Sequence, residues 1–254
     1  MAKTQVIKIL AIGNSFSMDA MEYLYQMFRD FTDEPVVLGD LYIPGCSLET
    51  HWRNAEGNLP NYEYYKNIDG NWDMRPNVSI LDAILQEDWD IITMQQNSGR
   101  SGLPETYQPY LSNLIDYVLK NATNPNVKLA WHMTWAYQSD SAHHDFPNYH
   151  NNQLEMYQKI KEAVRTAVLT LNRFSYIIPA GAAIQNARAF FGDTLTRDGY
   201  HLSIPLGRYI AGLSWVAALT GFDYAKIRYL PEGIDRSQLP LIIEAVKKAA
   251  EQPL

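Results

Sequence analysis

The chain has 254 residues, 46% hydrophobic and 19% charged, which excludes a disordered chain and predicts a folded core. A formal net charge of −7 argues against nucleic acid as a partner, because such proteins carry a basic face. A single cysteine, Cys46, rules out an intrachain disulfide, and no apolar run reaches the roughly 18 to 20 residues of a membrane-spanning helix.

In chain order, residues 6–12 form a short apolar run interrupted by Lys8, which predicts a strand ended by Gly13-Asn14. The run lacks a small-residue cleavage site, so it is not read as a signal peptide. Localisation stays open, since a periplasmic or secreted protein would require the chain to be a processed form. Residues 18–31 carry Met21, Leu24, Tyr25, Phe28 and Phe31 at helical spacing. Residues 35–43 predict a second strand closed by Pro44-Gly45, residues 79–86 a helix and 91–94 a third strand. A helix at 107–120 leads into a strand at 127–134, opened by the Asn124-Pro125-Asn126 turn. A long helix over 152–171 precedes a short strand at 176–178, and helices at 204–219 and 239–251 close the chain. This alternation predicts βαβ units, a parallel sheet of five strands and one domain over residues 1–254. It carries no reading of the oligomeric state.

Two stretches break the rhythm. Residues 54–76 hold Tyr62, Tyr64, Tyr65 and Trp72 among Asn, Gly and Asp, and suit a hairpin or long loop. Residues 135–151 suit a second loop. Both follow proposed strands on the C-terminal side, the edge where open parallel sheets bind ligands.

Ser15 lies where the first strand turns into the first helix, among free backbone N–H groups that favour developing negative charge. The position suits a nucleophile, and it equally suits Ser15 or Ser17 as a helix cap. The turn is neither G-x-S-x-G nor a phosphate-binding loop. Far along the chain, Asp198 and His201 stand three residues apart. One turn there can set the carboxylate on the imidazole, or simply cap the helix after Pro205.

Together these stretches resemble the SGNH (GDSL-like) hydrolases, and within them a branch known as a domain of unknown function. Gly13-Asn14-Ser15-Phe16-Ser17 is similar to the first block, which carries the nucleophile. Gly45, in Pro44-Gly45-Cys46-Ser47-Leu48, is similar to the second-block glycine whose N–H faces the oxyanion. Asp198-Gly199-Tyr200-His201-Leu202-Ser203, with Gly207 following, is similar to the last block, which supplies acid and base. The resemblance runs from residue 13 to 207 and implies a flavodoxin-like three-layer α/β/α sandwich. Two positions depart from the pattern. Asn14 replaces the usual aspartate, and Gln95-Gln96-Asn97-Ser98-Gly99 stands where the third block normally reads Gly-x-Asn-Asp. An amide there still supplies an oxyanion donor, with Gln96 the first choice and Asn97 the second.

The resemblance implies a serine esterase without a cofactor. Ser15 attacks an ester carbonyl, His201 takes its proton, and Asp198 orients the imidazole. The N–H groups of Ser15 and Gly45, with an amide from Gln96 or Asn97, hold the oxyanion. Trp52, Trp72, Trp135 and Tyr137 are expected near the ligand edge, where their faces would stack on sugar rings. The expected substrate is therefore a small acyl ester, acetyl-like, on a carbohydrate. The opposing reading is a carbohydrate-binding module that keeps the hydrolase fold and performs no chemistry.

Other polar clusters are expected to be structural. His143, His144, Asp145 and His150 crowd one loop, but no zinc spacing is present and adjacent histidines usually diverge, so no metal is expected. His51 and His132 read as hydrogen-bonded structural residues near strand ends. Cys46, without an evident base nearby in sequence, reads as a small buried side chain.

Overall fold

In the computed structural model, which describes residues 7–221 and 223–254, the first apolar run forms β1 (Ile7–Gly13). Val6, expected to open that strand, lies outside the described residues. The strands that follow are β2 (Val36–Tyr42), β3 (Tyr62–Asn67), β4 (Trp72–Val78), β5 (Ile91–Met94), β6 (Lys128–His132) and β7 (Tyr176–Ile178). They form one sheet in the order β4-β3-β2-β1-β5-β6-β7. β1 pairs in parallel with β2 and β5, and β6 continues the parallel set to β7. Because β1 lies mid-sheet with both faces covered, Ile9 to Ile12 are all buried.

The parallel core has the five expected strands, but the sheet has seven. Residues 62–78 form an antiparallel hairpin that extends the sheet beyond β2. Tyr62 and Tyr64 are buried while Glu63 between them is exposed, the alternation of a half-covered strand. The register pairs Tyr42 with Glu63 and Leu38 with Asn67. This sends the hairpin tip to the N-terminal edge of β2, away from the ligand edge.

The helices are α1 (Ser15–Met21), α2 (Leu24–Arg29), α3 (Leu48–Glu56), α4 (Ile80–Ile84), α5 (Tyr110–Asn121), α6 (Gln153–Ala163), α7 (Ala180–Phe191), α8 (Leu206–Thr220) and α9 (Leu239–Glu251). One packing group joins α1, α2, α7, α8 and α9, and another joins α3, α4 and α5. The helices thus cover both faces of the sheet, the architecture of a three-layer sandwich. α5 shows why periodicity works: Leu111, Leu114, Ile115 and Val118 are buried, one stripe at i, i+3, i+4 and i+7. The helix expected over 18–31 starts earlier, at Ser15, and divides at Glu22-Tyr23 into α1 and α2. The long helix over 152–171 is helical throughout, widening to a π turn at Val164–Val168 and tightening at Leu169–Leu171.

Two helices carry no such stripe. α7 is alanine-rich and buried from Ala180 to Ile184, wedged against α8 and α9, so its polarity has no period. α3 buries His51 and Asn54 beside Leu48 and Ala55, which hides its inner face from a hydrophobicity reading.

Candidate active site

Because their strands are parallel, the loops after β1, β2, β5 and β6 emerge at one edge of the sheet. The first carries Asn14 and Ser15. Gly13 is required there because a side chain on it would collide with the Ser17 hydroxyl. Asn14 caps α1: its Oδ1 accepts from the N–H of Phe16 at 3.0 Å and from Gln95 Nε2 at 2.7 Å. Its Nδ2 donates to the Cys46 carbonyl at 3.0 Å. An aspartate at this position would accept but never donate, so the departure from the usual block is what ties the Ser15 turn to the Gly45-Cys46 loop. Gln95 in turn faces its Oε1 to His132 Nδ1 at 2.6 Å, which makes that imidazole nitrogen the donor.

Ser15 is half-buried at the first position of α1, and its hydroxyl makes no hydrogen bond to protein among the described residues. First-turn N–H groups lack helical partners, and Asn14 takes that of Phe16. Gly45 is exposed with φ +60°, a left-handed conformation that favours glycine, and its N–H has no acceptor among the described residues. Two open backbone donors thus belong to adjoining loops.

The amides after β5 have separate tasks. Gln96 is buried; its Oε1 accepts from the N–H groups of Leu48 and Asn97, and its Nε2 donates to the Thr106 hydroxyl at 3.1 Å. Its amide protons are therefore committed away from the site. Asn97 Nδ2 instead donates to the Gly45 carbonyl at 3.2 Å, so this second choice is the amide at the Gly45 loop.

The acid–base turn sits on α1. His201 Nδ1 lies 2.6 Å from Asp198 Oδ2, and because the carboxylate accepts, the imidazole donates. The N–H groups of His201 and Tyr200 both donate to Asp198 Oδ1, at 2.8 and 3.2 Å. Partial burial opposes ionisation of Asp198, but the hydrogen bonds from His201 and Tyr200 and the charge of the imidazole outweigh it. The carboxyl is left below its ordinary value. The His201 ring meets Phe16, the residue after Ser15, edge-on at 6.2 Å. No hydrogen bond joins His201 to Ser15 among the described residues.

A buried carboxylate explains how residues so distant in sequence meet. Asp19, on the turn of α1 after Ser15 and only 1% exposed, accepts from Arg197 at 3.0 Å, Arg208 at 2.8 Å and the Leu202 N–H at 2.7 Å. Those three groups bracket Asp198 and His201. A polar residue on the inward face of an otherwise apolar helix is the sequence signal that could have found it.

The loop expected to display aromatic faces does something else. Trp135 and Tyr137 are fully buried, which corrects their expected role as stacking surfaces. Trp135 stacks on Phe16 at 4.1 Å and donates to the Tyr200 carbonyl at 2.7 Å, bracing both halves of the site. Tyr137 donates to Ser98 Oγ, and Tyr149 accepts from the Gly102 N–H and donates to the Gly99 carbonyl, pinning the turn after Asn97. Trp72 opens β4 at the opposite edge of the sheet, and half-buried Trp52 packs edge-on against Tyr117 at 6.5 Å. The aromatic surplus is largely interior: four of the six tryptophans are fully buried.

The rings left beside His201 are those of Tyr200, His143 and His144. Tyr200 lies 4.2 Å from His201 and 4.6 Å from His143, which stacks on His144 at 4.5 Å instead of diverging from it. With Asp145, these histidines place donor atoms within 4.8 Å of one another. His143 Nδ1, however, already accepts from the Asp145 N–H at 3.1 Å. Burial, with the neighbouring His144, pushes His143 below the usual histidine range. His150 pairs separately with Glu155. Cys46 does have a histidine beside it, His51 at 3.4 Å, contrary to the sequence reading. Burial pushes the thiol up to about 12 and the imidazole down to about 3, so no thiolate–imidazolium pair forms.

This is the fold of the SGNH hydrolases. The chain spans 84% of itself and 99% of a protein from Slackia heliotrinireducens assigned to that class, with TM-score 0.55 and 19% identity. An acetylxylan esterase from Geobacillus stearothermophilus matches with TM-score 0.55 and 13% identity, over 90% of this chain and all of that one. Residues 8–250 match the family described as a domain of unknown function, DUF4886, and the chain belongs to that family. A DUF4886 family protein from Bacteroides uniformis is 40% identical, with TM-score 0.93 over 98% of this chain and 96% of that one. No curated protein matches the chain. No helix among the described residues is long and apolar enough to cross a membrane.

Proposed function

We propose that the chain is a serine esterase that removes a small acyl group, acetyl-like, from a carbohydrate. The observation that carries this reading is the Asp198–His201 pair, closed at 2.6 Å and fastened by Asp19 to the helix that begins with Ser15. Ser15 attacks the ester carbonyl as His201 takes its proton, and Asp198 stabilises the imidazolium that forms. The alkoxide that develops on the carbonyl faces the N–H groups of Ser15 and Gly45 and the amide of Asn97. Each such donor contributes on the order of 10²- to 10³-fold in rate, roughly 3 to 4 kcal/mol. Collapse expels the alcohol, protonated by His201, and water then releases the acyl group by the same route. Gln96 supports the site through Leu48 and Asn97 rather than by touching the oxyanion.

The carbohydrate side of the reading rests on the ring cluster of Tyr200, His143 and His144, together with the fold shared with an acetylxylan esterase. Apolar ring faces flanked by imidazole nitrogens suit a sugar's C–H face and hydroxyls. The purified protein should release acetate from acetylated xylo-oligosaccharides and cleave short-chain aryl acetates. Activity confined to long-chain lipid esters would refute the substrate class, and no ester turnover at all would refute the esterase.

A further inference from the structure

Beneath the Ser15 turn lies a carboxyl that the mechanism does not use. Asp40, on β2 beside Ala11 of β1, is completely buried, and no Lys or Arg among the described residues pairs with it. Its Oδ1 lies 2.9 Å from Ser17 Oγ, and its Oδ2 has no hydrogen-bond partner. Ser17 Oγ lies 2.8 Å from the Asn14 carbonyl and accepts from the Asn14 N–H at 3.1 Å. A hydroxyl has one proton and two lone pairs. Its one proton cannot serve the Asn14 carbonyl and Asp40 at once, so for both contacts to be hydrogen bonds the proton between Ser17 and Asp40 comes from Asp40. The alternative, an ionised Asp40, buries a charged oxygen with no partner and leaves the Asn14 carbonyl with the Met18 N–H alone.

We propose that Asp40 is a positioning residue, held as the neutral acid, that fixes the Ser15 turn by donating its proton to Ser17. Burial independently pushes its carboxyl up to about 8, a rise that the Ser17 hydrogen bond only partly offsets. The titratable neighbours are Tyr42 on its own strand and Tyr64 and Tyr65 of β3, all pushed upward mainly by burial, Tyr65 to about 12. Asp19, another neighbour of Tyr42, is neutralised by Arg197 and Arg208. Loss of the Asp40 proton swings the Ser17 proton to the new carboxylate. Ser17 then keeps the Asn14 N–H but lets go of the Asn14 carbonyl, so the peptide group that leads into Ser15 loses one of its hydrogen bonds and the nucleophile is misplaced. Because the folded value lies above the ordinary 3.8, the stability this proton contributes is complete below 3.8 and is lost progressively as pH rises from there through about 8.

The activity readout rests on the esterase reading, whereas the spectroscopic one does not. Wild-type kcat on an aryl acetate should fall as pH rises through about 8, with KM unchanged. Asp40→Ala should lower kcat on the order of 10- to 100-fold at neutral pH. Asp40→Asn, which keeps an N–H donor toward Ser17, should restore the rate and abolish the alkaline decline. Its melting temperature should also hold between pH 5 and 9 while that of the wild type drops. An alkaline decline unchanged in Asp40→Asn would overturn the proposal. Infrared spectroscopy of the unaltered protein supplies a test that needs neither turnover nor a folded variant. The carbonyl stretch of a protonated carboxyl should be present at pH 7 and fade on alkaline titration, and its absence at pH 7 would overturn the proposal equally.

Discussion

Replacing Ser15 with alanine should lower ester turnover on the order of 10⁶-fold while leaving the fold intact. The two halves of this expectation have separate causes. Catalysis collapses because the attacking oxygen is gone, and neither His201 nor the oxyanion donors can replace it. Stability holds because Ser15 is half-buried and its hydroxyl makes no hydrogen bond to protein among the described residues. The cap of α1 is Asn14, whose bonds to Phe16, Gln95 and Cys46 do not involve the Ser15 side chain. A surface-like change of this kind should shift stability by no more than about 0.5 kcal/mol. Steady-state rates and a denaturation curve on the same preparation check both halves. A variant that loses activity and stability together would point to a structural serine.

Asp19→Ala should have the reverse profile, with a large loss of stability. The carboxylate is buried and satisfies Arg197, Arg208 and the Leu202 N–H at once. Removing it leaves Arg197 without a carboxylate and Arg208 with Glu22 alone, and breaking a buried ion pair of this kind costs about 3 to 5 kcal/mol in comparable buried sites. Arg197 is 36% exposed and Arg208 17%, so water partly recovers both, and the lower end of that range applies. What remains folded should have a slack acid–base turn and depressed kcat. Asp19→Asn keeps one acceptor oxygen for Leu202 and should lose less of both. Urea denaturation midpoints of the three proteins measure the effect, and equal midpoints would contradict the tether.

The parts of the fold that were legible in the sequence are strands covered on both faces and helices covered on one. β1 is apolar without a break from Ile9 to Ile12 because both its faces are covered, and α5 has a clean stripe because only one face is. α7 escaped because its start, Ala180 to Ile184, is buried on every side and leaves no period, and α3 because its inner face holds His51 and Asn54. The hairpin was readable as a hairpin, but its register onto β2, which sends Trp72 to the far edge, is a tertiary choice. Within the site, Ser15, Gly45, Asp198 and His201 stood out by motif and lie on adjoining loops. Gln96 and Asn97 differ in their partners, Thr106 for the one and the Gly45 carbonyl for the other, which spacing does not disclose. Trp135 and Tyr137 were misread for a physical reason: aromatic residues in a polar loop suggest exposure, yet here they are the loop's own core. Asp19 and Asp40 carry no motif, and their importance is visible only through their partners.

The proposed esterase depends above all on Ser15 being an activated nucleophile. Its most direct test is treatment of the native protein with a fluorophosphonate, followed by peptide mapping of the adduct. A single covalent adduct is expected on Ser15, formed rapidly in the wild type and slowly in His201→Ala. A protein that remains unlabelled, or one labelled at any other serine, would contradict it.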